Sequence, residues 1–274
     1  MISNQIIKEA LIRLKRSGKK HIFLSEHSKS QLSDIHFQDM SGSENQVRSE
    51  SNLEKKLESI SEIDSFKLSK DLKSENIILL KEALAGLYPY EKLLFGKGSL
   101  DPKIVFLSEY PSTEEFQNNI LCVGNANVLI QKIIKAMGIT QEDVYFTSII
   151  KSKSVSNILL QKGNNSSELI EKKVFIEYLK KELSLINPSI IISFGELSYT
   201  LLMNKSLEKE EFNQIRGQLF KFSEYLVVPT FSPSYLLLKD SLETKRYFWE
   251  DLLIVMNELK LEITEKQKNY FKKQ

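Results

Sequence analysis

The residues of this chain placed to do chemistry fall in four short segments, 108–116, 148–154, 195–197 and 231–238. The first reads Ser108-Glu109-Tyr110-Pro111-Ser112-Thr113-Glu114-Glu115 and gathers carboxylates around one tyrosine. The second, from Ser148 through Lys151 to Lys153, offers hydroxyls and ammonium groups; the third holds Gly195-Glu196. The fourth, Phe231-Ser232-Pro233-Ser234-Tyr235-Leu236-Leu237-Leu238, sets small polar groups beside an apolar tip. A leucine tip exposed after a proline turn can wedge into a base stack. Packed inward, the same leucines would simply begin a core helix.

The four segments share a position. Each lies at or just after the end of a run that reads as a β-strand, at 103–107, 144–150, 190–194 and 226–230. Helical periodicity lies between and around these runs, at 77–87, 128–137, 168–186, 197–203 and 245–259. Asp101-Pro102, Gly138 and Asn187-Pro188 supply the breaks. The run 190–194 is nearly all apolar, as a strand covered on both faces should be. The alternation predicts a three-layer α/β/α domain around a central four-stranded parallel sheet. Ligands of such sheets sit outside the carboxyl ends of the strands, which is where the four segments lie.

Composition narrows the classes. The chain has 274 residues with 38 Lys+Arg against 36 Asp+Glu, too balanced for a polycation that wraps nucleic acid or coats a membrane. A single cysteine excludes an intrachain disulfide framework, a cysteine-rich zinc site and an all-cysteine iron–sulfur cluster within one chain. No apolar run is long enough for a transmembrane helix, and the N-terminus lacks a secretory core. A soluble, cytoplasmic protein with no membrane partner is expected.

All six prolines lie beyond residue 88 and all three histidines before residue 37, so the chain changes character along its length. Residues 25–61 contain ten serines and little apolar material, too little to offset their chain entropy. The expected organisation is an N-terminal amphipathic helix at 1–20, a Ser-rich disordered linker at 21–75, an α/β domain at 76–260 and a charged tail at 261–274. Ile6, Ile7, Ala10, Leu11 and Leu14 form the helical stripe, which could dock on an unknown protein partner.

Here the phrases themselves resemble a family. Phe95-Gly96-Lys97-Gly98, Ile104 to Pro111 with Glu115 in register, Cys122 to Ile130, Asp143 to Ser152, Pro188 to Gly195, Ile215-Arg216-Gly217, Thr230 to Leu237 and Trp249-Glu250-Asp251-Leu252 follow one another in a known order. That order is similar to the uracil-DNA glycosylase superfamily, and most similar to its family 4, the bacterial and archaeal iron–sulfur type. The resemblance spans roughly residues 76–258. It implies a uracil-DNA glycosylase-like fold and, if active, hydrolysis of the uracil–deoxyribose N-glycosidic bond.

The departures carry as much weight. Four cysteines hold the family's cluster; this chain has only Cys122, and Ser152 stands at a later ligand position, so no cofactor and no metal are expected. Cys122 replaces the aromatic that stacks on uracil, Ser148 the Asn that reads the pyrimidine edge, and Ser232 the His that donates to the leaving base. Tyr110 stands where the best-known families carry a water-activating Asp. Glu109 and Glu115 match the family's loop acids, which help orient water or the loop. The resemblance thus gives Glu109, Glu115 and Ser232 as the catalytic set and Tyr110, Cys122 and Ser148 as the base pocket. Lys151, Ser234, Tyr235, Leu236 and Leu237 become the candidate DNA contacts. The reading that fits is a domain with a degenerate active site that binds DNA or serves DNA repair, with weak or no base excision. The alternatives are an active glycosylase with a remodelled pocket and a non-catalytic protein-interaction module.

Overall fold

The computed structural model describes residues 70–160, 166–205, 207 and 211–271. The expected N-terminal helix and nearly all of the expected linker lie outside the described residues. The first described element is helix α1 (Lys70–Leu87), which begins seven residues before the periodicity at Ile77. Then come β1 (Lys97–Gly98), β2 (Ile104–Ser108), α2 (Thr113–Asn118), α3 (Gly124–Met137) and β3 (Val144–Ser148). The middle of the chain forms α4 (Lys153–Leu160), α5 (Ser166–Ile186), β4 (Ile190–Phe194), α6 (Gly195–Met203) and α7 (Phe212–Ile215). The last elements are β5 (Phe220–Phe222), β6 (Tyr225–Thr230), α8 (Pro233–Lys239), α9 (Leu242–Glu258) and α10 (Glu265–Lys268).

The four expected strands form the centre of the sheet and run parallel, with Ile104 level with both Val144 and Ile190, and Ile190 level with Leu226. The sheet is nevertheless six-stranded and mixed, in the order β1-β3-β2-β4-β6-β5. The expected central four-stranded parallel sheet is thus extended at its two edges by β1 and β5, which pair antiparallel. β5 forms a hairpin with β6, whereas β1 pairs with the sequence-distant β3; at three and two residues both are too short to carry a periodicity.

Period-two alternation divides the strands between two cores. Val105, Leu107, Tyr145, Ile191 and Val227 meet α1 and α5 through Leu80, Leu84, Val174, Phe175, Tyr178 and Leu183. Ile104, Phe106, Val144, Phe146, Ile192 and Val228 meet α3 and α9 through Ile130, Ile134, Met137, Leu252, Val255 and Met256. Helices therefore cover both faces, and the open end of the sheet lies where Ser108, Ser148, Phe194 and Thr230 finish their strands.

Two ion pairs, one fully buried and one part-buried, lock distant phrases together. Glu182 on α5 accepts from Tyr145 Oη at 3.0 Å, Thr147 Oγ1 at 2.9 Å and Lys151 Nζ at 2.9 Å. A Cβ at Gly96 would lie 2.4 Å from Tyr145 Oη and 2.6 Å from Glu182 Oε1, so this approach requires glycine. On the other side, Asp251 accepts from Arg216 Nη1 at 2.6 Å and from Thr230 Oγ1 at 2.7 Å. Gly217, at φ +72°, lets the chain pass so close that a Cβ would meet Asp251 Oδ1 at 2.4 Å. Residues 261–271 fold back: Trp249 Nε1 donates to Gln267 O at 2.7 Å, and Gln267 Nε2 to Ala136 O at 2.8 Å. Among the described residues no helix is long and apolar enough to cross a membrane.

Candidate active site

A cavity of about 440 Å3 opens at the carboxyl end of the sheet, a size that suits a small-molecule or base pocket. Glu109, Tyr110, Glu115, Cys122, Ser232 and Ser234, all singled out by sequence, line it. Its remaining wall includes Phe106, Phe146 and Phe194. Phe106 stacks on Phe146 at 5.3 Å and on Phe194 at 5.5 Å. Sequence reading missed these rings because each sits in a strand and counts there as core. Their one shared signal is place: each falls within the last three residues of a parallel strand.

The loop after β2 sets the acids. The backbone carbonyls of Ser108 and Glu109 accept from Ile149 N and Ile150 N, both at 2.9 Å, which ties this loop to the one after β3. Burial pushes the Glu109 carboxyl up to about 7; a hydrogen bond from its own backbone opposes the shift, and the charge of Glu115 adds to it. Tyr110 also rises, through burial and then the Glu109 charge. Its ring packs against the core beside α1 and α5, so the cavity stays open despite its bulk.

Glu115 has a bracing task. Ser112 caps α2, with Oγ accepting from Glu115 N at 3.2 Å, and Glu115 Oε2 accepts from Ser112 N at 2.7 Å, a reciprocal capping box. Glu115 Oε1 accepts from Cys122 N at 2.5 Å. Cys122 holds the left-handed conformation at φ 53°, and its Sγ lies 3.5 Å from Asn127 Oδ1. Burial pushes its thiol up to about 11, so it stands in the cavity as a neutral, weakly polar group.

Ser232 caps α8, its Oγ accepting from Tyr235 N at 3.2 Å. The hydroxyl that faces the cavity is therefore anchored at a helix start. Ser148 does not reach the cavity lining: it is fully buried and its Oγ donates to Ile150 O at 2.9 Å. The expected place of Ser148 in the base pocket is thus not taken up: its hydroxyl is turned onto the backbone two residues beyond, in the loop after β3.

The expected phosphate contact at Lys151 is also overturned. Its side chain is wholly buried, donating to Glu182 and, at 2.6 Å, to Ser148 O. Burial draws its ammonium below the ordinary lysine range, and the Glu182 charge opposes that shift. Leu236 is 2% exposed and belongs to the core against α3 and α9, so it cannot wedge into DNA. Leu237 and Leu238, at 44% and 82% exposed, form the outer tip instead.

The residues do not fit a four-thiolate cluster. The chain's one cysteine sits in the cavity. Ser152 is buried and donates to Glu91 Oε2 at 3.0 Å, with Ser154 Oγ also at 3.0 Å and Val155 N donating to it at 3.2 Å. Among the described residues no group of His, Cys, Asp or Glu could hold a metal ion.

The comparisons agree with the phrase order. The profile of the uracil DNA glycosylase superfamily matches residues 95–253. The type-4 uracil-DNA glycosylase of Thermotoga maritima is 29% identical over 184 residues, 66% of this chain and 84% of that protein. The type-4 enzyme of Saccharolobus solfataricus is 28% identical over 148 residues, 52% of this chain and 65% of that protein. A DNA polymerase of Bacillus phage SP01 is 28% identical over 165 residues, 60% of this chain but only 16% of the polymerase.

Proposed function

This chain belongs to the uracil-DNA glycosylase superfamily, and on that premise we propose that it binds DNA and receives a base in its cavity, with weak or no excision. One observation carries the reading: the cavity persists at the strand ends, while the hydroxyl of Ser232 is all that stands where a leaving base needs a strong donor.

Breaking an N-glycosidic bond builds negative charge on the departing base. A donor aimed at that charge is worth about 10²–10³ in rate. Ser232 offers a short neutral hydroxyl whose orientation is set by its bond to Tyr235 N. Among the described residues there is no imidazole, since the last histidine in the chain is His36. The stacked phenylalanines supply an apolar face for a base, and Glu109, the buried one of the lining carboxyls, supplies a group to face an incoming water. Binding is thus better provided for than bond cleavage.

Glu109 favours the second reading, an active glycosylase with a remodelled pocket. A carboxyl with a pKa of about 7 is matched to proton transfer at neutral pH. Fluorescence anisotropy with a duplex holding a single uracil, at low and high salt, tests the proposal. Binding that weakens steeply with salt is expected, because phosphate contacts release counterions. Absence of binding at low salt would contradict it and leave the protein-interaction module.

A further inference from the structure

A second cavity, of about 490 Å3, adjoins the first, and Ser232 belongs to the lining of both. Tyr235 stands in it, 38% exposed, its ring stacked on Phe231 at 5.1 Å and 23°. The guanidinium of Arg216 lies 5.6 Å from the Phe231 ring centroid, and Asp251 fixes that guanidinium. Tyr235 is therefore an aromatic platform on a fixed column of two further groups. Glu196, Asn213 and Lys239 surround the same space. The Glu196 carboxylate and the Asn213 amide have no hydrogen-bond partner among the described residues.

An aromatic face, two unengaged polar side chains and an ammonium suit a nucleotide, since bases stack on aromatic rings and phosphates attract cations. A carboxylate only accepts hydrogen bonds, so Glu196 favours a base edge that donates, as the amino groups of cytosine and adenine do. We propose that this second cavity takes the base next to the one drawn into the first cavity, stacked on Tyr235 and donating an exocyclic amino group to Glu196. The shared wall at Ser232 sets the two bases side by side on one strand, with Lys239 available to the backbone phosphate. The inference rests on the DNA-binding reading above and adds to it a preference for the neighbouring base.

The test uses the full chain and single-stranded oligonucleotides with one uracil, its neighbours varied among adenine, cytosine and thymine. A parallel set carries a fluorescent adenine analogue beside the uracil. An adenine or cytosine neighbour should bind about tenfold tighter than thymine, and the analogue should be quenched on binding. Tyr235→Ala should abolish the quench and cost about tenfold in affinity, while Tyr235→Phe keeps both. Glu196→Ala should level the neighbour preference and leave the quench. Binding by the native chain with no neighbour dependence and no quench would overturn this inference alone. No binding to any oligonucleotide would overturn it together with the DNA-binding reading.

Discussion

The amide of Cys122 donates to the carboxylate of Glu115 at 2.5 Å, closing one rim of the cavity across seven residues. The other oxygen of Glu115 holds Ser112 N. Both oxygens are spent on backbone donors, which makes Glu115 a positioning residue for the loop, while Glu109 is the lining acid whose carboxyl is buried.

Glu115→Ala should therefore act on stability. Leaving the part-buried Cys122 amide unpaired costs about 1–3 kcal/mol, while the exposed Ser112 amide turns to water. Urea unfolding should show the loss, and hydrogen exchange should speed up at the amide of Cys122. Unchanged stability and exchange would contradict the bracing role.

Lys151 should prove structural. Lys151→Ala strands Glu182 as an uncompensated buried charge, a loss of about 3–5 kcal/mol. Gly96→Ala should destabilise through the same network, because its Cβ would strike Tyr145 Oη. Urea midpoints measure both. A Lys151→Ala protein as stable as the native chain, but with weakened DNA binding, would return this lysine to the surface.

The Glu109 carboxyl, pushed up to about 7, holds its proton more tightly in the folded chain than at its ordinary value of 4.5 in the unfolded one. The stability it contributes is present below the ordinary value and is lost as pH rises through about 7. Asp251, pushed up to about 6 because burial outweighs Thr230 and Arg216, contributes with the same sign. Glu109→Gln should therefore gain stability relative to the native chain between about pH 5 and about pH 8. Urea midpoints at the two ends of that window check it, and a gain in the opposite direction would contradict it.

The leucines after Pro233 should separate by burial. Leu236→Ala removes a core side chain at a cost of about 2–5 kcal/mol. Leu238→Ala, at a position 82% exposed, should change stability by less than about 0.5 kcal/mol. Thermal unfolding of the two variants distinguishes them. Any loss of DNA affinity at unchanged stability belongs to the second.

The parallel strands were legible because both of their faces are buried, so 103–107 and 190–194 read as apolar runs close to Ile104–Ser108 and Ile190–Phe194. The edges β1 and β5 were not, since two or three residues hold no period. The site was legible as far as loop order places residues: Glu109, Cys122 and Ser232 do converge. Lys151 misled because a lysine near a strand end ordinarily meets solvent, and its partner Glu182 lies 31 residues away on another element. The superfamily phrases at 215–217, 230 and 249–252 were legible only as separate motifs. Their purpose, an Arg216–Asp251 ion pair to which Thr230 adds a hydrogen bond, needed the fold.

Single-turnover excision measures the central claim most directly. A labelled oligonucleotide with one uracil is incubated with excess protein, then treated with alkali, for the native chain, Glu109→Gln and Ser232→His. The account predicts no strand breaks from the native chain, or a rate at least about 10²-fold below that of Ser232→His. Prompt cleavage by the native chain, abolished in Glu109→Gln and not improved in Ser232→His, would contradict it.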